Sequence, residues 1–381
     1  MKIAILVQDI TKLGGVETVT VWLAEQFGKE NEVDIISCKK QFATSYNGSD
    51  KIHIEYLSIP IEHKHFTASD FDILKKLLEI KNYDKIIVQL STAFKNLCFV
   101  ANPKLYRFIS SYAKVYVCIH GSPKYFITRY NTSSDYCFKF LLKKIYHFIR
   151  YRTEIKEYFR LSNKYVDSFI TLSKGCHDEL KKYYGLDSII RYNPYNFDNE
   201  IVNIEEKENV ILWAGRFSPE KNIMLLLKAW NEIKDKKNWK VVIIGSGEQE
   251  NLINNYITSF NMKDVELLPA MPHSALMEYF KKSKIYVVTS FFEGFPTVIC
   301  EAMNYKNAVI STKHDGYSRE LLDNTTGIVT PIDSFELSRN IEKLLNDNNL
   351  LIKYQNAGYE RCKANYQALS LNANDYFKVS P

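Results

Sequence analysis

Short runs of β-branched and aliphatic residues alternate along this chain with longer stretches whose apolar positions recur at helical spacing, the pattern of parallel α/β layers. In the first half the short runs are Lys2 to Val7, Glu32 to Ser37, Lys51 to Leu57, Lys85 to Leu90, Lys114 to Ile119 and Ser168 to Leu172. A helix is predicted over Val16 to Phe27, closing before Gly28, a residue suited to the left-handed cap position. The rhythm breaks at Asn193-Pro194-Tyr195-Asn196, because the residue before a proline is pushed out of helical geometry. Alternation then resumes with Val210 to Ala214, a helix from Asn222, Lys240 to Ile244, a helix from Glu248, Val265 to Leu268, Lys284 to Thr289 and a helix from Pro296. The expectation is an α/β protein of two Rossmann-like domains facing each other across a cleft. Their bounds are placed at 1–192 and 193–365, with a tail, 366–381, expected to pack back on the first domain.

Composition narrows the class. A length of 381 residues carries a prior of two to three domains, and 46% apolar with 25% charged residues excludes disordered and fibrous chains. The seven cysteines are scattered and form no C-x-x-C pair, so neither a disulfide framework nor a zinc site is expected. The apolar stretch at the N-terminus, Ile3 to Val7, is too short for a signal peptide, and no run is long enough to span a bilayer. A cytoplasmic protein follows as the expectation.

In such sheets the loops after the strands hold the ligand, and four of them carry chemistry. After Val7 come Gly14 and Gly15, whose backbone can approach a ligand closely at a helix N-terminus, although the same pair suits an ordinary turn. After Ala214 the loop Gly215-Arg216-Phe217-Ser218-Pro219-Glu220-Lys221-Asn222 sets a guanidinium and an ammonium five residues apart, able to converge on a diphosphate. After Ile244, Gly245-Ser246-Gly247 lacks the third glycine of a dinucleotide fingerprint and reads as a tight turn. The fourth loop, Phe291-Phe292-Glu293-Gly294-Phe295-Pro296-Thr297-Val298-Ile299-Cys300-Glu301, holds two carboxylates, with Pro296 placed to open a helix. Glu293 and Glu301 offer acceptors for sugar hydroxyls, and the backbone from Phe295 to Val298 offers donors for phosphate.

These motifs occur in one order: the loop at Gly14 to Glu17, His120-Gly121, "DSFITLSKGCHDEL", Asn193-Pro194, "GRFSPEKN", "VVIIGSGE", "EGFPTVICEA" and "TGIVTPID". In that order the chain resembles the retaining glycosyltransferases of family 4, which have the GT-B fold. The resemblance implies that Arg216 and Lys221 bind the donor diphosphate and that Glu301 holds the nucleotide ribose. It also implies that Glu293 and His120 lie beside the donor sugar, that Gly294, Phe295, Pro296, Thr297 and Val298 line sugar and phosphate, and that Gly14 and Gly15 let the substrates approach. The first domain would then be the acceptor side and the second the nucleotide-sugar side. The implied reaction is sugar transfer from a nucleotide donor, expected to be UDP-linked, to a saccharide acceptor on a polyprenyl lipid, in bacterial surface-polysaccharide assembly. No metal or other cofactor is expected. A non-catalytic nucleotide-sugar-binding module, a glycoside hydrolase using Glu293 and Glu301, and a Rossmann oxidoreductase remain as competing readings.

Two further patterns resemble metal sites only in part. Asp70-Phe71-Asp72 matches a metal-holding D-x-D, but Ser69 and Asp72 before the helix Ile73 to Ile80 read as a capping pair. His63 and His65 lack carboxylate or thiolate company and read as a solvated loop.

The formal charge is +6, yet Lys124 to Lys164 alone carries +7, with ten basic residues against three acids. Eleven of those 41 residues are Tyr or Phe, and from Phe138 apolar positions fall at helical spacing. A basic amphipathic helix with aromatics suits an anionic membrane surface, so peripheral attachment to the inner face of the plasma membrane is expected; nucleic acid is not.

Overall fold

The computed structural model describes residues 1–11, 14–40, 52–63, 65–90, 100–123, 149, 153–195, 197, 202–314, 321–368 and 373–378. They form two compact units. One holds the chain up to Pro194 together with 373–378, and the other runs from Tyr195 to 368.

The first unit is built on β1 (Lys2–Val7), β2 (Glu32–Ser37), β3 (His53–Tyr56), β4 (Lys85–Leu90), β5 (Lys114–Ile119), β6 (Ser168–Thr171) and β7 (Ser188–Ile190). All pair in parallel, in the order β3-β2-β1-β4-β5-β6-β7. The second unit holds β8 (Glu208–Arg216), β9 (Lys240–Ser246), β10 (Val265–Pro269), β11 (Ser283–Val288), β12 (Ala308–Thr312) and β13 (Ile328–Thr330). They too are parallel, ordered β10-β9-β8-β11-β12-β13. Central strands such as β1, β5 and β12 are buried almost end to end, because helices cover both faces of a parallel sheet and leave no solvent side for polar residues. In each sheet the first strand lies between the second and the fourth (β1 by β2 and β4, β8 by β9 and β11). Strand order reverses there, the point at which open α/β sheets characteristically bind their ligands.

Several local expectations are corrected. The helix Gly15–Phe27 ends at Gly28 in right-handed, not left-handed, geometry (φ −64°), since the Gly28 N–H still donates to Ala24 O and the turn continues to Asn31. The helix Ala68–Lys81 starts five residues before Ile73, and its capping box is Thr67 with Asp70, not Ser69 with Asp72. Asp70 also binds His63 Nδ1 at 3.0 Å, so this histidine anchors the loop to the helix start. Pro296 caps the helix Thr297–Asn304 from outside instead of opening it.

The glycine pair of the second sheet has a packing cause. Gly245 runs beside Gly215, and a Cβ on it would fall 2.0 Å from the Gly215 carbonyl oxygen. Gly247 takes φ +154° under Phe217, whose N–H donates to Ser246 O and whose carbonyl accepts from Gln249 N–H. These glycines let Phe217 cross the end of β9, as a tight turn requires.

The seven-strand unit contains the described end of the basic segment. In the helical residues 153–162, Ile155, Tyr158 and Phe159 are buried. Tyr158 OH bonds Tyr106 OH, and Phe159 packs on Phe169 and Tyr184, so these aromatics are core. The amphipathic stretch from Phe138 lies outside the described residues apart from the exposed Ile149. Among the described residues no helix is long and apolar enough to cross a membrane.

Candidate active site

The switch point of the second sheet draws the two chemically loaded loops together. β8 delivers Arg216 to an exposed position at its carboxyl end, followed by a single 3-10 turn, Pro219–Lys221. Asn222 takes left-handed geometry (φ 49°), which reverses the chain into the helix Ile223–Glu232 and leaves Lys221 on the loop. β11 delivers Thr289 to Pro296. The loops are sewn by the Phe291 N–H on Glu220 O, by Thr289 Oγ1 on Lys221 O at 2.6 Å, and by Trp213 Nε1 on Thr289 Oγ1.

Glu293 sits in this seam with its side chain 14% exposed. Its Oε1 accepts from Lys221 Nζ at 2.6 Å and from Ser290 Oγ at 2.6 Å. Burial pushes the carboxyl pKa up, but the charges of Lys221 and His314 and these two hydrogen bonds outweigh it and hold Glu293 below the usual carboxylate range. Glu301, a turn and a half into the helix Thr297–Asn304, pairs instead with His273 Nε2 at 3.1 Å. No side chain caps that helix, so Thr297 and Val298 present their N–H groups at an N-terminus that favours negative charge. Phe292 and Phe295, on either side of Glu293 and Gly294, are buried.

Within the first unit, His120 follows β5 and is pinned by its backbone N–H to Leu90 O, while Nε2 bonds Gln89 Oε1 on β4. Burial pushes the imidazole pKa down to about 4, so the ring is neutral near neutral pH and can exchange hydrogen bonds but carries no charge. Gly14 precedes the helix Gly15–Phe27 in extended geometry, and a Cβ there would meet the Glu17 carboxylate at 2.6 Å, whereas Gly15 opens on empty space.

Thus Arg216, Lys221, Glu293, Gly294 to Val298 and Glu301 gather at the switch point of the second sheet, and His120, Gly14 and Gly15 belong to strand ends of the first. Sequence reasoning missed Ser290, His273 and Gln89, the side chains that bind the site carboxylates and the imidazole. His273 had one legible signal, its place just after β10 at the ligand end of the sheet. Residues 315–320, which follow His314, lie outside the described residues. The cluster Asp34, His53 and Glu55 could in principle hold a cation, but the Lys81 ammonium already bridges Asp34 and Glu55 at 3.0 and 2.9 Å.

Residues 195–361 match the family described as glycosyl transferases group 1. The chain is 26% identical over 374 residues, 95% of it and 94% of the relative, to the Campylobacter jejuni GalNAc-alpha-(1->4)-GalNAc-alpha-(1->3)-diNAcBac-PP-undecaprenol alpha-1,4-N-acetyl-D-galactosaminyltransferase. It is 28% identical over 207 residues to the N-acetylgalactosamine-N,N'-diacetylbacillosaminyl-diphospho-undecaprenol 4-alpha-N-acetylgalactosaminyltransferase of the same organism, 52% of this chain and 56% of that one. In structure it resembles HepE of Anabaena in complex with UDP, at 16% identity, 98% coverage of both chains and a TM-score of 0.73. The fold is therefore GT-B, and residues 195–361, somewhat under half of the chain, match the glycosyl transferases group 1.

Proposed function

We propose that this glycosyltransferase moves a hexosyl group from UDP to a hydroxyl of a lipid-linked saccharide, with retention at the anomeric carbon and without a metal ion. The observation that supports this reading most is the meeting of the Arg216 to Lys221 loop with the Glu293 to Glu301 loop at one switch point. Arg216 and Lys221 take the diphosphate. Lys221 has three N–H donors, and Glu293 engages one of them. Thr297 and Val298 add backbone N–H groups, Gly294, Phe295 and Pro296 shape the loop around the sugar, and Glu301 takes the ribose hydroxyls. Glu293 and the neutral His120 bind sugar hydroxyls, while Gly14 and Gly15 keep the first unit's loop clear of side chains.

In the reaction the bond from the anomeric carbon to the β-phosphate oxygen breaks and UDP departs with the electron pair. The acceptor oxygen bonds to the same face of that carbon, and its proton passes to the departing phosphate. Negative charge grows on the diphosphate, where fixed cations and helix N–H groups stabilise the transition state more than the ground state. The low pKa of Glu293 argues against a hydrolase acid, which needs a raised one. The relatives' undecaprenol-linked substrates favour an acceptor of that kind, and the basic segment 124–164 would dock on anionic lipid near it.

The test supplies a panel of UDP-sugars, led by UDP-N-acetylgalactosamine, with an undecaprenyl-diphosphate-linked oligosaccharide in anionic or neutral vesicles, in the presence of EDTA. UDP release, product mass and anomeric configuration by NMR are read. Expected are an α-linked product, faster transfer on anionic vesicles, and at least a hundredfold loss in Arg216→Ala and Lys221→Ala, the scale for removing a transition-state donor. UDP-sugar binding without UDP release from any acceptor would leave a binding module instead. An inverted product, loss of activity in EDTA, or fully active variants would each sink the corresponding part.

A further inference from the structure

His273 stands outside every motif, yet it makes the only hydrogen bond to the Glu301 carboxylate among the described residues. It lies at the first position of the helix His273–Lys282, directly after the loop from β10, 28 residues before Glu301. β10 is the edge strand of its sheet and β11 lies beyond β9 and β8, so this bond ties a peripheral helix start to the helix beside the switch point. A carboxylate can only accept here, so the proton must sit on Nε2 whether the ring is charged or neutral. A cation at a helix N-terminus is disfavoured by the macrodipole. The hydrogen bond and charge of Glu301 nevertheless outweigh burial and raise the His273 pKa above its ordinary value.

The pair is poorly placed to stabilise the fold, with the His273 side chain 65% exposed and that of Glu301 21%. Its effect should fall on the conformation of Glu301. A glutamate on a helix surface samples several rotamers, and holding one of them before a ligand arrives removes that cost from binding.

We propose that His273 is a positioning residue: by holding Oε1 of Glu301 it fixes the carboxylate with Oε2 left for the ribose diol of the nucleotide. The inference rests on the reading of Glu301 as the ribose ligand. It assigns part of donor affinity to a residue that itself touches neither phosphate nor sugar.

Calorimetric titration of the full chain with UDP and with 2′,3′-dideoxy-UDP separates the possibilities. Glu301→Ala should weaken UDP and leave the dideoxy nucleotide unchanged, which tests the ribose reading itself. His273→Ala should weaken UDP by about three- to tenfold, the cost of ordering one long side chain, and leave the dideoxy nucleotide unchanged. His273→Gln, whose amide reaches as far as Nε2, should restore UDP binding. If Glu301→Ala discriminates the two nucleotides but His273→Ala does not affect UDP, or weakens both equally, positioning is overturned while the ribose reading stands. If Glu301→Ala fails to discriminate, both fall together.

Discussion

Lys221 and Glu293 are 72 positions apart and form one ion pair because strand order brings their loops side by side. The pair also has a pH signature. The Glu293 pKa is depressed on folding, so its contribution to stability is complete above the ordinary carboxylate value and is lost as pH falls through the lower folded value. Glu293→Gln cannot titrate. The difference in Tm between parent and variant, followed by fluorimetric melting, should be largest above about pH 5 and shrink steadily in acid. A constant difference over that range would show that the Glu293 charge is not what Lys221 stabilises. At this scale the sequence was legible where chemistry and loop position coincide, as at Arg216, Lys221, Glu293 and Glu301. It was silent on Ser290 and Gln89, whose hydroxyl and amide become site components only through tertiary pairing.

The strands that organise each sheet were visible as apolar runs, while β7, β12 and β13 were not assigned. β7 and β13 are three residues long, and the five buried residues of β12 show no alternation to separate them from a helix segment. Helix starts moved for a related reason, since Asn222 and Pro296 turn out to be caps whose role depends on the backbone that precedes them. A less visible cap closes the other end of the helix that carries His273. Lys207, 5% exposed, donates through Nζ to the carbonyls of Phe280, Lys281 and Ser283 at 2.7–2.9 Å. Burial, with Lys306 nearby, pushes its pKa down to about 7. Lys207→Met keeps the apolar stem but removes the donor to Lys281 O and leaves Phe280 O and Ser283 O to the Asn307 amide, which also donates to both. Because the folded state disfavours the ammonium, the stability of the parent relative to the variant, followed by urea denaturation, should rise as pH increases from about 6 to 9. A difference that stays constant over that range would show that the Lys207 pKa is not depressed on folding.

At the scale of the whole molecule the chain closes on the unit in which it began. After the long helix Asn348–Ala368 of the second unit, residues 373–378 lie on the first. Tyr376 and Phe377 are 2% and 8% exposed. Tyr376 meets Phe27 edge-on at 5.1 Å between ring centroids, and Phe377 packs on Tyr116 at 4.5 Å with the Lys85 ammonium 3.8 Å from its ring. Arg191, beyond β7, donates to the carbonyls of Asp375, Tyr376 and Lys378, so the segment is held by backbone as well as by rings. These contacts join helix Gly15–Phe27 and strand β5 to residues more than 250 positions away, through surface that would otherwise be apolar and wet. Removing the two rings by Tyr376→Ala with Phe377→Ala should therefore cost the first unit at least about 3–5 kcal/mol, the range for truncating a buried aromatic. Nucleotide binding, which we place in the second unit, should be unaffected. Limited proteolysis should then cut first within residues 1–194, while titration with UDP returns an affinity within twofold of the parent. Equal protease resistance would show that the tail contributes no net stability. Loss of UDP binding would show that the second unit depends on the tail.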